Sequence, residues 1–148
     1  MGSAQQANKK ILMEFTKKQI DRYSRQIILK KVGVIGQKKL LKSSVLIVGA
    51  GGLGSPIAIY LAALGIGKIG IVDKDNVEIS NLSRQIIFET NDVNKNKSSA
   101  AISKLRKINP DIQLKSFNKN LTIININQIA KKFDLIVDGS DNFRTRFL

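Results

Sequence analysis

Four apolar residues, Val45-Leu46-Ile47-Val48, run directly into Gly49-Ala50-Gly51-Gly52-Leu53-Gly54, and few architectures accept that junction. An unbroken apolar run suits a strand buried on both faces, as in a parallel sheet with helices on each side. The glycines follow the spacing G-x-G-x-x-G. In that spacing the first glycine permits a tight strand-to-helix turn and the second lets backbone approach an anion. The third lets the helix pack close to the strand, while the amides at the helix start point at the bound group. Apolar residues resume at helical spacing over residues 53–64 (Leu53, Ile57, Tyr60, Leu61, Leu64), with Pro56 in the first turn and Gly65 and Gly67 beyond the end. Residues 69–72 then read as a second strand closing on Asp73, about 20 residues past the glycines, where a carboxylate can accept hydrogen bonds from ribose hydroxyls.

The rest of the chain continues the alternation. Residues 15–31 predict an irregular amphipathic helix on Phe15, Ile20, Tyr23, Ile27 and Ile28, broken by Gly33 and Gly36, with one short helical turn at residues 37–41. Residues 81–88 fit either a short helix or a loop. Residues 96–108 predict a long amphipathic helix stopped by Asn109-Pro110, residues 112–117 an alternating strand and residues 125–132 a helix. Residues 135–137 complete the pattern as a fourth buried strand ending at Asp138. Strands alternating with helices imply parallel β-α-β units. The expected fold is α/β: a Rossmann-like, doubly wound, mostly parallel sheet of about four strands behind an N-terminal helical segment.

Composition removes whole classes of chemistry. With no Cys and no His there is no disulfide, no thiolate zinc site, no cysteine nucleophile and no imidazole base. Chemistry must run on Arg, Lys, Asp, Asn and backbone amides, with a hard cation if one is needed. No apolar run nears the ~20 residues of a membrane span, and residues 1–10 lack the pattern of an export signal, so a cytoplasmic chain without membrane contact is expected. The formal charge is +14. Residues 9–42 hold 11 basic against 2 acidic side chains and residues 92–119 hold 7 against 2, flanking a stretch with 3 against 4. A solvated basic surface, a nucleic-acid partner and a smaller anionic partner all accommodate that excess. Aromatic content of 5% and the lack of a recognition-helix or zinc-finger pattern argue against nucleic acid.

A dinucleotide redox enzyme would be the default reading of the glycine turn, but Asn81-Leu82-Ser83-Arg84-Gln85 lies just past the second strand and Lys97 opens the next helix. Taken singly, Arg84 and Lys97 read as surface cations, and both are expected to face solvent at the sheet edge. Taken together beside an amide-rich turn they suit a reacting triphosphate better than a single pyrophosphate.

Arg22-Tyr23-Ser24-Arg25-Gln26, the glycine turn, Asp73-Lys74-Asp75, Ser80-Asn81-Leu82-Ser83-Arg84-Gln85, Lys97 and Asp138-Gly139-Ser140-Asp141-Asn142 occur in that order. Together they resemble the ThiF/MoeB adenylyltransferases, bacterial relatives of ubiquitin-activating enzymes, over nearly the whole chain from Asp21 onward. The resemblance implies ATP-dependent adenylation of the C-terminal glycine carboxylate of a ubiquitin-like sulfur-carrier protein, of the thiamine or molybdenum-cofactor type. A carboxylate is already ionised at neutral pH, so its attack on the α-phosphate needs no general base, which suits this composition. By the same resemblance, Gly49, Gly51, Gly52, Gly54, Asp75 and Gln85 would bind the nucleotide and Asp73 its ribose. Asn81, Arg84 and Lys97 would hold the phosphates, Asp141 would hold magnesium, and Arg25 would reach across a homodimer interface into the neighbouring site. Members of that family commonly carry further strands, a loop that grips the carrier tail and often a four-cysteine zinc site; no zinc is expected in this chain. Residues 1–20 are expected to be a flexible or helical extension and residues 21–148 an ATP-binding domain truncated at its C-terminus. Two alternatives stand beside adenylation: a non-catalytic nucleotide-binding or assembly module, and an NAD(P)-dependent oxidoreductase.

Overall fold

Residues 15–140 are described by the structure, a computed structural model. Two helices, α1 (Lys17–Ile27) and α2 (Gly33–Lys42), lead into β1 (Ser44–Val48), α3 (Gly54–Leu64) and β2 (Lys68–Val72). Single 3₁₀ turns at Ile79–Asn81 and Thr90–Asp92 precede α4 (Lys97–Ile108), β3 (Gln113–Phe117), α5 (Ile123–Ala130) and β4 (Leu135–Asp138). The four strands form one wholly parallel sheet in the order β3-β2-β1-β4. Parallel neighbours need a crossover, and α3, α4 and α5 supply the three that the topology requires.

Side-chain alternation along β1 and β2 divides the core in two. Val45, Ile47, Ile69 and Ile71 pack with Ala58 and Ala62 of α3 and Ala100, Ala101 and Leu105 of α4. Leu46, Val48 and Val72 point the other way, against Ile129, Phe117, Leu121 and Phe133. Strand ends are level: Val48 pairs with Val72 and with Asp138, and Val72 with Phe117. The loops leaving all four strands therefore start from one edge. Because the chain moves from β1 to β2 and β3 on one side and to β4 on the other, that edge has a switch point beside β1, the usual place for a ligand in open α/β sheets.

Several sequence expectations are corrected. Helix α1 is shorter than residues 15–31: Thr16 begins it with a reciprocal capping box to Gln19, and Ile28 closes it. The break expected at Gly33 is present, since α1 ends at Ile27 and Gly33, with φ of +58°, opens α2. Gly36 instead lies within α2, which extends the short turn expected at residues 37–41, and there the buried Gln37 donates to the Leu64 carbonyl at 3.0 Å. In α3 the buried face is Gly54, Ser55, Ala58 and Ala62, whereas Leu53 and Tyr60 are 63% and 70% exposed. Small residues let the helix lie close on the sheet; of the large apolar residues expected to form its inner face, Ile57 and Leu61 pack half-buried against the core while Leu53, Tyr60 and Leu64 face outward. Strand β4 is not buried: Leu135 and Ile136 are 62% and 49% exposed, because among the described residues β4 lies at the sheet edge and pairs only with β1. Residues 81–88 resolve as the end of a 3₁₀ turn followed by further turns. Among the described residues no helix is long and apolar enough to cross a membrane.

The segment after β2 is anchored to α4 by charge. Asp92, nearly buried, accepts a hydrogen bond from the Glu89 amide at 3.0 Å and faces the ammonium groups of Lys95 and Lys104, each at 3.4 Å. Burial pushes the Asp92 carboxyl up, but the Glu89 amide and the two lysines outweigh it and hold it below the usual carboxylate range. A depressed carboxyl contributes stability above its unfolded value, about 4, and loses it as pH falls through the folded value. Asp92→Asn is therefore expected to cost about 1–3 kcal/mol at pH 7 in urea unfolding, with the deficit shrinking as pH drops below about 4.

Candidate functional site

The turn after β1 is tight at Gly49 and Gly54, where β1 meets α3. Gly49 has φ of +87°, a left-handed conformation, and its amide donates to the Val72 carbonyl at 2.8 Å. A Cβ built at Gly54 would lie 1.9 Å from the Gly49 carbonyl oxygen. Asp73, at the end of β2, fastens the turn: one carboxylate oxygen accepts the Ala50 amide at 2.8 Å and the other the Asp75 amide at 2.9 Å. A carboxylate has about four acceptor positions, so Asp73 retains capacity for a ligand hydroxyl while holding the backbone.

Above this turn a cleft of about 540 Å³ opens along the strand ends. Gly49, Gly51, Gly52, Asp73, Asp75, Arg84, Gln85 and Lys97 all line it. Gly54, Asn81 and Arg25, the other expected residues that are described, do not. Gly54 lies beneath the turn, at the start of α3. Asn81 is buried: its Oδ1 accepts the Glu78 amide at 3.1 Å, and its backbone carbonyl accepts the amides of Arg84 and Gln85. It shapes the turn that presents those two residues. Arg25 is exposed on α1, away from the cleft of its own chain. Asp141 lies outside the described residues, next in sequence to Ser140, which lines the cleft.

The cleft carries four cations, Lys74, Arg84, Lys97 and Lys119, against the carboxylates Asp73 and Asp75. The Arg84 stem passes within 3.8 Å of where a Gly52 Cβ would sit, and its guanidinium donates to the Ser80 carbonyl at 3.3 Å. Lys97 is only 9% exposed, which corrects the expectation that it faces solvent; the first turn of α4 enters the cleft wall, and the Lys97 amide donates to the Asp75 carbonyl at 2.8 Å. Among the described residues, no carboxylate forms an ion pair with Arg84 or Lys97. Gln85 is buried beside Gly51, and among the described residues its Oε1 has no donor. A buried acceptor without a partner is costly, and a ligand donor would relieve it.

Sequence reasoning assigned no role to Lys74, Lys119, Asn120, Leu121 or Ser140, which also line the cleft. Lys119, Asn120 and Leu121 follow β3 directly. The rule that ligands lie beyond the carboxyl ends of parallel strands would have singled them out.

The pattern that defines the ThiF family matches residues 23–148. The chain belongs to the ThiF family. A Thermus thermophilus relative named sulfur carrier protein adenylyltransferase is 46% identical over 136 residues, covering 92% of this chain and 50% of the relative. A Porphyra purpurea protein named "Probable molybdopterin-synthase adenylyltransferase" is 50% identical over 127 residues, covering 86% of this chain and 33% of that protein. The chain thus spans half or less of these curated relatives. Among solved structures, E. coli tRNA N6-threonylcarbamoyladenosine dehydratase, TcdA, in complex with ATP, superposes with a TM-score of 0.80 at 25% identity, over 88% of this chain and 54% of that one.

For this ThiF-family chain the glycine positions separate by mechanism. Gly54→Ala drives a methyl into backbone and is expected to destabilise by about 1–3 kcal/mol. Gly51→Ala places its methyl in the open cleft, 3.9 Å from the nearest side-chain atom, and is expected to melt within a few degrees of the unsubstituted protein. Thermal unfolding of the two variants checks the contrast.

Proposed function

We propose that this chain binds ATP in the cleft and forms the phosphate-holding part of a site that adenylates the C-terminal glycine carboxylate of a ubiquitin-like sulfur-carrier protein. The carrying observation is that the amide-lined glycine turn, Arg84 and Lys97 share one cleft, with neither cation neutralised by a described carboxylate. Its volume of about 540 Å³ suits a nucleotide-sized ligand.

In this reading a carrier carboxylate oxygen forms a bond to the α-phosphorus as the bond from that phosphorus to the bridging oxygen of pyrophosphate breaks. The products are an acyl adenylate and pyrophosphate. No proton need be removed, so the work is positioning and charge stabilisation. Negative charge grows on the α-phosphate oxygens and the leaving pyrophosphate, where Arg84, Lys97 and the turn amides act. Asp73 orients the ribose, Asp75 and Gln85 complete the nucleotide contacts, and Asn81 acts through the turn it shapes. Magnesium would neutralise phosphate charge, held by the hard Asp141 carboxylate and phosphate oxygens. Among the described residues no group of three acidic side chains gathers as a metal cage, and a phosphate-bridging magnesium does not call for one. Arg25 would serve the neighbouring subunit's site in a two-fold homodimer. The carrier would be of the thiamine or molybdenum-cofactor type, and the reaction cytoplasmic.

Arg84→Ala and Lys97→Met are each expected to lower carrier-dependent ATP–pyrophosphate exchange about 10²–10³-fold; unchanged exchange in both rules the assignment out. Methionine keeps the buried stem of Lys97, so folding is retained. In the same assay, mixing Arg25→Ala with Lys97→Met subunits should restore part of the activity, since one site of the hybrid keeps both groups. No recovery would remove the cross-subunit role. Tighter binding of NAD(P) than ATP would favour an oxidoreductase, and ATP binding without exchange for any carrier would favour a non-catalytic module.

A further inference from the structure

Between the two 3₁₀ turns and α4 the chain folds back on β2's exit loop. Asn94 takes φ of +69°, its amide donates to the Val77 carbonyl, and the Val77 amide donates to the Lys95 carbonyl, both at 2.8 Å. This return sets Asn96 opposite Asn76 and makes it the residue that caps α4. Its Oδ1 accepts the Ser99 amide at 3.1 Å and the Ser98 hydroxyl at 2.7 Å. Its Nδ2 lies 3.1 Å from the Asp73 carbonyl, 3.2 Å from the Asp75 carbonyl and 2.9 Å from Asn118 Oδ1. The backbone groups fix the amide's orientation: the Ser99 amide can only donate, and the two carbonyls can only accept. Two hydrogens serve three acceptors, so one is shared.

One side chain therefore ties together three walls of the cleft: the loop of Asp73 and Asp75, the helix start carrying Lys97, and the loop that continues from Asn118 to Lys119. Capping alone would need only an oxygen, which serine supplies nearly as well. The amino group is the part that spans the cleft's base. We propose that Asn96 is a positioning residue for the nucleotide, setting the ribose side of the site at Asp73 against the phosphate side at Lys97. This rests on the ATP reading above.

The test is calorimetric binding of ATP and of inorganic pyrophosphate to the full chain and to its Asn96→Ser and Asn96→Ala variants. Serine retains the cap but not the bridge. Asn96→Ser is expected to weaken ATP binding about tenfold, because ATP must touch both sides at once, and to leave pyrophosphate binding within about twofold, because pyrophosphate meets only the phosphate side. ATP binding by Asn96→Ser equal to that of the unsubstituted chain, with only Asn96→Ala impaired, would reduce Asn96 to a helix cap and overturn the proposal. Equal losses for ATP and pyrophosphate would mean general damage and overturn it as well. An unsubstituted chain that binds pyrophosphate but not ATP would sink the ATP reading itself, and this role for Asn96 with it.

Discussion

Position 54 tolerates no side chain, because a Cβ there would overlap the carbonyl of Gly49, and the rest of the molecule is arranged around that contact. Helix α3 starts hard against the end of β1, so its inner face must be Ala58 and Ala62 rather than leucines. The backbone between them, at Gly51 and Gly52, lines the cleft. Asp73 then locks the turn from the neighbouring strand through the Ala50 amide, so the second strand's terminal carboxylate belongs as much to the turn's geometry as to any ligand. A close approach of helix and strand thus becomes an anion-facing surface without any side chain being spent on it.

The treatment of charge follows the same division. Lys104 is matched by Asp92 and Glu89, and Lys18 and Arg22 by Asp111, in pairs that fasten loops and helices to one another. The Arg84 guanidinium is held instead by the uncharged Ser80 carbonyl, and Lys97 is placed by the burial of its side chain and by the hydrogen bond from its main-chain amide to the Asp75 carbonyl. Cations kept in place without being neutralised retain their field for something that arrives. A cleft with this imbalance, beside a buried Gln85 oxygen that lacks a donor, has the character expected of a site for a polyanion bearing hydroxyl or amino groups.

Local sequence revealed the parts of this that depend on short spacing. The strand–glycine–helix junction and the parallel alternation followed from residues close together in the chain, and Arg84, Gln85 and Lys97 were expected beside Gly51 from their place past the second strand of a parallel sheet. What escaped notice depends on contacts between distant segments. The exposure of Leu135 and Ile136 follows from β4's place at the sheet edge, which apolar content cannot reveal. Gly36 read as a breaker because propensity ignores Gln37 and its partner on α3. Lys119 and Asn120 enter the cleft only because β3 ends level with β2. Asn96 read only as the first residue of the helix over residues 96–108, because its amide contacts lie on loops distant in sequence. Arg25 and Asp141 remain proposals, the first exposed away from its own cleft and the second outside the described residues.

Most direct is a magnesium–ATP titration of the full chain followed by amide and side-chain nuclear magnetic resonance, with NAD as the comparison ligand. The account predicts that signals of Gly49, Gly51 and Gly52, the Arg84 guanidinium and the Lys97 amide shift together along one binding curve, at lower concentrations of ATP than of NAD. Shifts confined to the basic faces of α1 and α2, with the glycine turn silent, would contradict it.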